Sequence, residues 1–300
     1  MDKIEFYKNR TLSERFSASV DFLKQNWKIL YKNILIGALP LAIAGGYFLQ
    51  YYQQASFTNV YSGNTFSNPL FVVLYLICMV SLMIYLNAMT GAVLIKYHEG
   101  NLDSSTGWGD LYNSMMSLSA KTFLIGLIIW SIIVVAIAFV AVIISLFFSG
   151  ITLGEEMAFF GIILLFVVLI LLGFVLIFSP FLALAHYPAY FSGAGIWESI
   201  KIAFGMGFRN WGNVVVTLLL SGIVMAIISM IFSVPNSIVA MFFSRGEISI
   251  LTFIFAFIAL LGNVLTYPVM FIFIAFQYFS IVENEQGVSL QSKVDEFENL

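Results

Sequence analysis

Charge is the scarcest commodity in this chain. Asp, Glu, Lys and Arg make up 10% of 300 residues, against roughly 25% in an ordinary globular protein. Apolar residues take their place at 61%, where roughly 45–50% is usual, and the mean hydropathy is +0.98. In water such a chain would present far more contiguous apolar surface than a soluble monomer carries. A soluble enzyme and a disordered chain are excluded together. Thirteen Lys and Arg against sixteen Asp and Glu leave a net charge of −3, too little positive charge to track a phosphate backbone, so no nucleic-acid partner is expected.

Cysteine and histidine are nearly absent too. Cys78 stands alone inside an apolar run, which rules out an intrachain disulfide and a Cys-based metal site. His98 and His186 are the only histidines, and a metal centre needs three or four ligands, so no metal or other cofactor is expected. No P-loop, dinucleotide fingerprint, zinc motif or nucleophile elbow occurs. Nothing pairs a nucleophile with a base, so the chain reads as a non-enzyme. About thirty residues precede the first apolar stretch, whereas a cleavable signal brings its apolar core much earlier. The first stretch is therefore expected to remain as a span.

Long apolar runs are what the chain has in plenty. A bilayer core of roughly 30 Å needs about twenty apolar residues of helix. Six stretches qualify: Asn33–Tyr52, Pro69–Ile95, Thr122–Ser149, Met157–Leu184, Val214–Ser233 and Ile248–Phe276. None contains Asp, Glu, Lys or Arg. Proton-coupled transport and voltage sensing need intramembrane charge, so its absence counts against them, though not against a pore for a neutral solute. Lys and Arg set the orientation. Twelve of the thirteen fall in Met1–Lys32, Lys96–Lys121, His186–Asn213 and Ile281–Leu300. The opposite loops, Gln53–Asn68, Gly150–Glu156 and Val234–Glu247, carry only Arg245. Both termini are expected in the cytoplasm. The expected organisation is one membrane domain over 1–300: an amphipathic segment at 1–32, a six-span bundle at 33–280 and a cytoplasmic tail at 281–300.

Each pair of spans is preceded by an amphipathic stretch with 3.6-residue periodicity. The first places Leu12, Phe16, Val20, Leu23, Trp27 and Leu30 on one face, behind a capping box at Thr11–Glu14. The second carries Trp108, Leu111, Met115 and Leu118, and the third Trp197, Ile200, Phe204, Phe208 and Trp211. The first and third align at an offset of 184 and the second and third at 89. Asn87-x-x-Thr90 recurs as Asn263-x-x-Thr266 at 176, and Pro180 and Pro268 lie 88 apart. The pattern reads as three copies of one unit, an interfacial helix followed by a two-span hairpin. Units that cross twice keep one orientation and relate about an axis along the membrane normal. The fold class is thus all-α integral membrane, a six-transmembrane-helix bundle. Trp27, Trp108, Trp197 and Trp211 lie at the cytoplasmic boundary, as an aromatic belt does. Ala42/Gly46, Ala141/Ser145 and Gly222/Ala226 are small-residue pairs suited to close helix approach.

Asn87, Thr90, Asn263 and Thr266 are the candidate site. Asn87 lies nine residues before Lys96, roughly 13 Å of helix, where a carboxamide seeks a partner. Two readings are open: a polar lining for a small or lipidic ligand, or hydrogen bonding between helices. Either way Asn87 and Asn263 should face the bundle interior.

The run Phe22-Leu23-Lys24-Gln25-Asn26-Trp27-Lys28, leading into a span with Pro40, resembles the start of a group of bacterial six-span membrane proteins. The ending Phe276-Gln277-Tyr278-Phe279…Glu283…Gly287…Leu290 resembles theirs. More distantly, Trp197-Glu198-Ser199…Gly205…Asn210-Trp211 is similar to the membrane domain attached to some glycerophosphodiester phosphodiesterases. The resemblance covers most of the chain, implies a fold and a bacterial cytoplasmic-membrane location, and implies no reaction. The expected function is non-catalytic, a scaffolding or lipid-associated role with membrane lipids and other membrane proteins as partners. The alternative is a permease or channel for a neutral or lipidic solute.

Overall fold

The computed structural model describes residues 3–62, 69–148, 173–243 and 250–289. All regular structure among them is helical. The helices are α1 (Leu12–Ser62), α2 (Pro69–His98), α3 (Trp108–Phe148), α4 (173–184), α5 (Tyr187–Phe191), α6 (Ile196–Arg209), α7 (Trp211–Phe243) and α8 (Ile250–Gln286). Six helical segments are long and apolar enough to cross a membrane, with α4 and α5 together forming the fourth. The protein is an all-α, multi-pass membrane protein.

Helices outrun the apolar stretches that nucleate them. The segment expected as an outer loop at Gln53–Asn68 is helical through Ser62, and the one at Val234–Glu247 is helical through Phe243, across Pro235. Gly150–Glu156 lies outside the described residues. The first two amphipathic stretches are not separate interfacial helices but the opening turns of α1 and α3. Only the third stands apart, as α6. Its break falls at Asn210, whose backbone N–H closes on the Met206 carbonyl. The reason is local. Asn210 is followed by Trp211 and Gly212, and glycine costs a helix about 1 kcal/mol, whereas the aligned Asn26 is followed by Trp27 and Lys28.

The chain divides into two compact units, Met1–Ala120 with Thr217–Leu300, and Lys121–Val216. In the first, α1 packs against α2 and α8. One stripe of α1 is buried along its length, from Arg15 through Ser19, Phe22, Asn26, Leu30 and Ile34 to Ala38 and Ala42. Phe16, Val20 and Leu23, on the expected apolar face of an interfacial helix, are partly buried, and Trp27 is exposed. The buried stripe is therefore mixed, with Arg15, Ser19 and Asn26 enclosed beside Phe22 and Leu30, while half-buried Phe16 stacks on Phe273 at 4.3 Å between ring centres. Polar side chains enclosed in this way need partners within the protein. Exposed Leu70, Val73, Ile77 and Val80 form the outward stripe of α2. At Gly37 the helices touch so closely that a Cβ would lie 2.5 Å from the Tyr85 ring, whose hydroxyl donates to the Asn33 carbonyl at 2.8 Å. Tyr31 Oη donates to the Leu265 carbonyl at 2.6 Å, three residues before Pro268, where the proline loosens the helical ladder.

The last turns of α8 are the hub. Phe271 to Val282 are buried without interruption, so this segment is enclosed all round. Part of the enclosure is an N-terminal strap over Lys3–Arg10. Phe6 is buried against Tyr97, His98 and Phe279, and Ile4 N–H donates to Tyr97 Oη at 2.9 Å. Between α2 and α3, Asp103 accepts hydrogen bonds from the hydroxyls and amides of Ser105 and Thr106. Those bonds hold its carboxyl below the usual aspartate range.

In the second unit, Ser199 of α6 ties the break between α4 and α5. Its Oγ donates to the Ala185 carbonyl and accepts from the Ala189 amide, each at 2.9 Å. Gly207 brings α6 against α4, where a Cβ would lie 2.9 Å from the Phe181 backbone nitrogen.

Burial also corrects the repeat register. Arg15, Ser19, Phe22 and Leu30 align at 184 with Ser199, Ala203, Met206 and Val214, and all eight are buried. For the second copy, buried Leu111, Met115 and Leu118 fall on buried Ser199, Ala203 and Met206 at 88, whereas at 89 Met115 falls on exposed Phe204. Matching Trp108 to Trp197 misses by one because Trp197 is exposed and lies off the packing stripe. The same spacing of 88 separates His98 from His186, and twice it separates Thr90 from Thr266.

Candidate functional site

The four expected polar residues separate. Thr90 and Thr266 are fully buried, and each hydroxyl donates to the carbonyl four residues back, Leu86 at 2.7 Å and Gly262 at 2.9 Å. Asn87 is buried and donates to the Met83 carbonyl at 3.0 Å and to Tyr267 Oη on α8 at 2.9 Å. Asn263 is exposed on α8. The expectation that both carboxamides face inward is therefore corrected: Asn87 does, Asn263 does not, and Asn87's partner is Tyr267. Asn lies three positions before Thr, about 60° around the helix, so it occupies the flank of the buried stripe. On α2 that flank meets Tyr267.

A denser polar cluster lies among the ends of α1, α7 and α8, built of residues that no sequence motif marks. Arg15 on the first turn of α1 is 8% exposed and Gln277 on α8 is 0% exposed. Gln277 Oε1 accepts from Arg15 Nη1 and from Thr217 Oγ1 of α7, the latter at 2.9 Å. A guanidinium offers only donors, so the carboxamide must turn its oxygen toward it. That orientation leaves Gln277 Nε2 buried with no acceptor among the described residues, and Arg15 Nε is buried without one too. Leaving a buried donor unsatisfied costs roughly 1–3 kcal/mol. Glu14, the neighbouring acid, is bound to Thr11 in the capping box, accepting from its amide at 2.7 Å and its hydroxyl at 2.9 Å. Lys24 and Asp21 form the one ion pair among the described residues, so the buried cation has no carboxylate there.

Comparison with protein-family models, with curated proteins and with solved structures returns no match. The chain's own geometry has to carry the functional reading.

Three further places stand apart from this cluster. An open groove of about 880 Å³ runs beside the strap, lined by Lys3, Tyr7, Lys8, His98 and Glu283 among others. His186 lies in the second unit with its Nδ1 buried and unbonded among the described residues. No group of three or more metal-ligating side chains occurs among the described residues. The third place is the outer face of α6. Trp197, Phe204 and Phe208 are 60%, 47% and 39% exposed, opposite buried Ile200, Ala203 and Met206. Lys201 Nζ stands 5.8 Å from the centre of the Trp197 ring, and Arg209 closes the last turn.

Proposed function

We propose that this protein is a non-catalytic, lipid-associated membrane protein of the bacterial cytoplasmic membrane, with both termini inside the cell. The exposed face of α6 supports the reading most directly. Trp197, Phe204 and Phe208 present an apolar surface rimmed by Lys201 and Arg209, the composition of a helix seated at headgroup level. The resemblance to bacterial six-span proteins, and more distantly to the membrane domain of some glycerophosphodiester phosphodiesterases, agrees with a scaffolding role among lipids and other membrane proteins. The alternative of a permease or channel is weaker, because Asn87, Thr90 and Thr266 spend their polar groups on the protein itself.

The test uses a chain whose only tryptophan is Trp197, with Trp27, Trp108, Trp130 and Trp211 changed to Phe. In nanodiscs, lipids brominated near the headgroups are expected to quench its fluorescence strongly and aqueous iodide weakly. The reverse would overturn the lipid-associated reading. Solute flux into proteoliposomes above that of empty vesicles would favour the permease.

A further inference from the structure

We infer that the Arg15–Gln277–Thr217 cluster binds a phosphate group, supplied by the headgroup of an anionic phospholipid. The inference rests on the lipid-associated reading only for the source of the phosphate; the site itself rests on its donors.

Three observations converge. First, the cluster holds a buried positive charge with no carboxylate beside it among the described residues. A charge in that setting needs a counter-charge to be tolerated. Second, its hydrogen bonding is unbalanced in one direction. Gln277 Oε1, the acceptor at its centre, already takes Arg15 Nη1 and Thr217 Oγ1, and what is left over is two donors, Arg15 Nε and Gln277 Nε2. An acceptor-only anion with several oxygens completes such a set, and a phosphate satisfies both donors and the charge at once. Third, Arg15 lies one turn into α1, within the Met1–Lys32 segment that holds seven of the thirteen cations. That charge pattern is the one that concentrates anionic lipid at a membrane surface. The capping box at Thr11–Glu14 already serves the free amides of α1, so the helix terminus is not itself the site.

The experiment is thermal unfolding of the delipidated full chain in a neutral detergent, with phosphatidylglycerol or inorganic phosphate added separately. Phosphatidylglycerol at a hundredfold excess over its dissociation constant is expected to raise the midpoint by roughly 5 °C. Arg15→Gln removes the charged donor and should weaken binding at least tenfold, the worth of one hydrogen bond to a charged group. Gln277→Glu guards against a variant that merely fails to fold. It places a carboxylate on Arg15 in the phosphate's stead and removes the second donor, so the chain should fold while the ligand-dependent shift disappears. A shift with inorganic phosphate alone, lost in Gln277→Glu, would support the site and reassign its source. No shift with either probe, or one that survives Gln277→Glu, would overturn the proposal. Trp197 quenching in the Arg15→Gln chain separates the two failures: unchanged quenching with lost phosphate binding leaves the α6 reading intact.

Discussion

Asn87 and Asn263 share a motif and not an environment. Asn87 bonds Tyr267 across the α2–α8 contact, whereas Asn263 is exposed. Asn87→Leu should therefore lower stability in detergent by roughly 0.6–2 kcal/mol, the range for interhelical bonds in membranes. Asn263→Leu should leave it within about 0.5 kcal/mol. Tyr267→Phe combined with Asn87→Leu should cost less than the sum of the singles, since both remove one bond. A loss at Asn263→Leu equal to that at Asn87→Leu would contradict the assignment. The spacing in the sequence named Thr90 and Thr266 only alongside the two Asn residues, and it is the threonines that are both buried. It could not decide the two Asn residues, because a side chain on the flank of a stripe depends on which neighbour happens to stand there. Arg15 escaped for another reason: it lies outside every apolar run. Its signal was the polar series Arg15, Ser19, Asn26 and Asn33, which the buried stripe of α1 follows.

At the scale of elements, small residues matter where backbones meet and nowhere else. A Cβ on Gly207 would lie 2.9 Å from the Phe181 nitrogen, while one on Gly222 would meet nothing within 4 Å. Gly207→Ala should destabilise the protein by roughly 1–3 kcal/mol, as overpacking does. Gly222→Ala should be neutral or stabilise by up to about 1 kcal/mol, because alanine is the better helix former. Thermal unfolding of the two variants side by side decides it, and equal effects would deny the close α4–α6 contact. Of the three small-residue pairs, Ala42/Gly46 does sit in a contact, with a Gly46 Cβ at 3.3 Å from the Phe257 backbone. Gly222 does not, and Ala141/Ser145 falls among side chains outside the described residues. The spans themselves were readable because a run of about twenty apolar residues is long enough to cross a bilayer and too apolar for a soluble surface. Their ends were not, since polar residues such as Gln53 and Gln54 continue a helix as readily as they form a loop.

For the whole molecule, the uneven spread of Lys and Arg has the widest consequence. Reporter fusions after Asn64 and after Glu156 should report the outer side, and a fusion after Leu300 the cytoplasm. An inside signal at Asn64 would require a different number of crossings before it. The chain divides into two compact units, one of them made from both ends of the chain. Apolar periodicity could not reveal that division, because it records which face of a helix is buried and not which helix buries it. Burial does set the phase between the second and third amphipathic stretches: a spacing of 88 aligns their buried positions where alignment on tryptophan does not.

The enclosed run Phe271–Val282 imposes an order on synthesis. Arg15 and Gln277 are 262 positions apart, so when α1 leaves the ribosome its partner has not been translated. At roughly 5–20 residues per second, α1 waits on the order of tens of seconds with Arg15 lacking its Gln277 partner. The segment Lys121–Val216 is complete well before then. α1 can meet α2 as soon as Pro69–His98 has emerged, whereas the strap at Lys3–Arg10, first out of the ribosome, packs in part on Phe279 and is among the last pieces to find its seat.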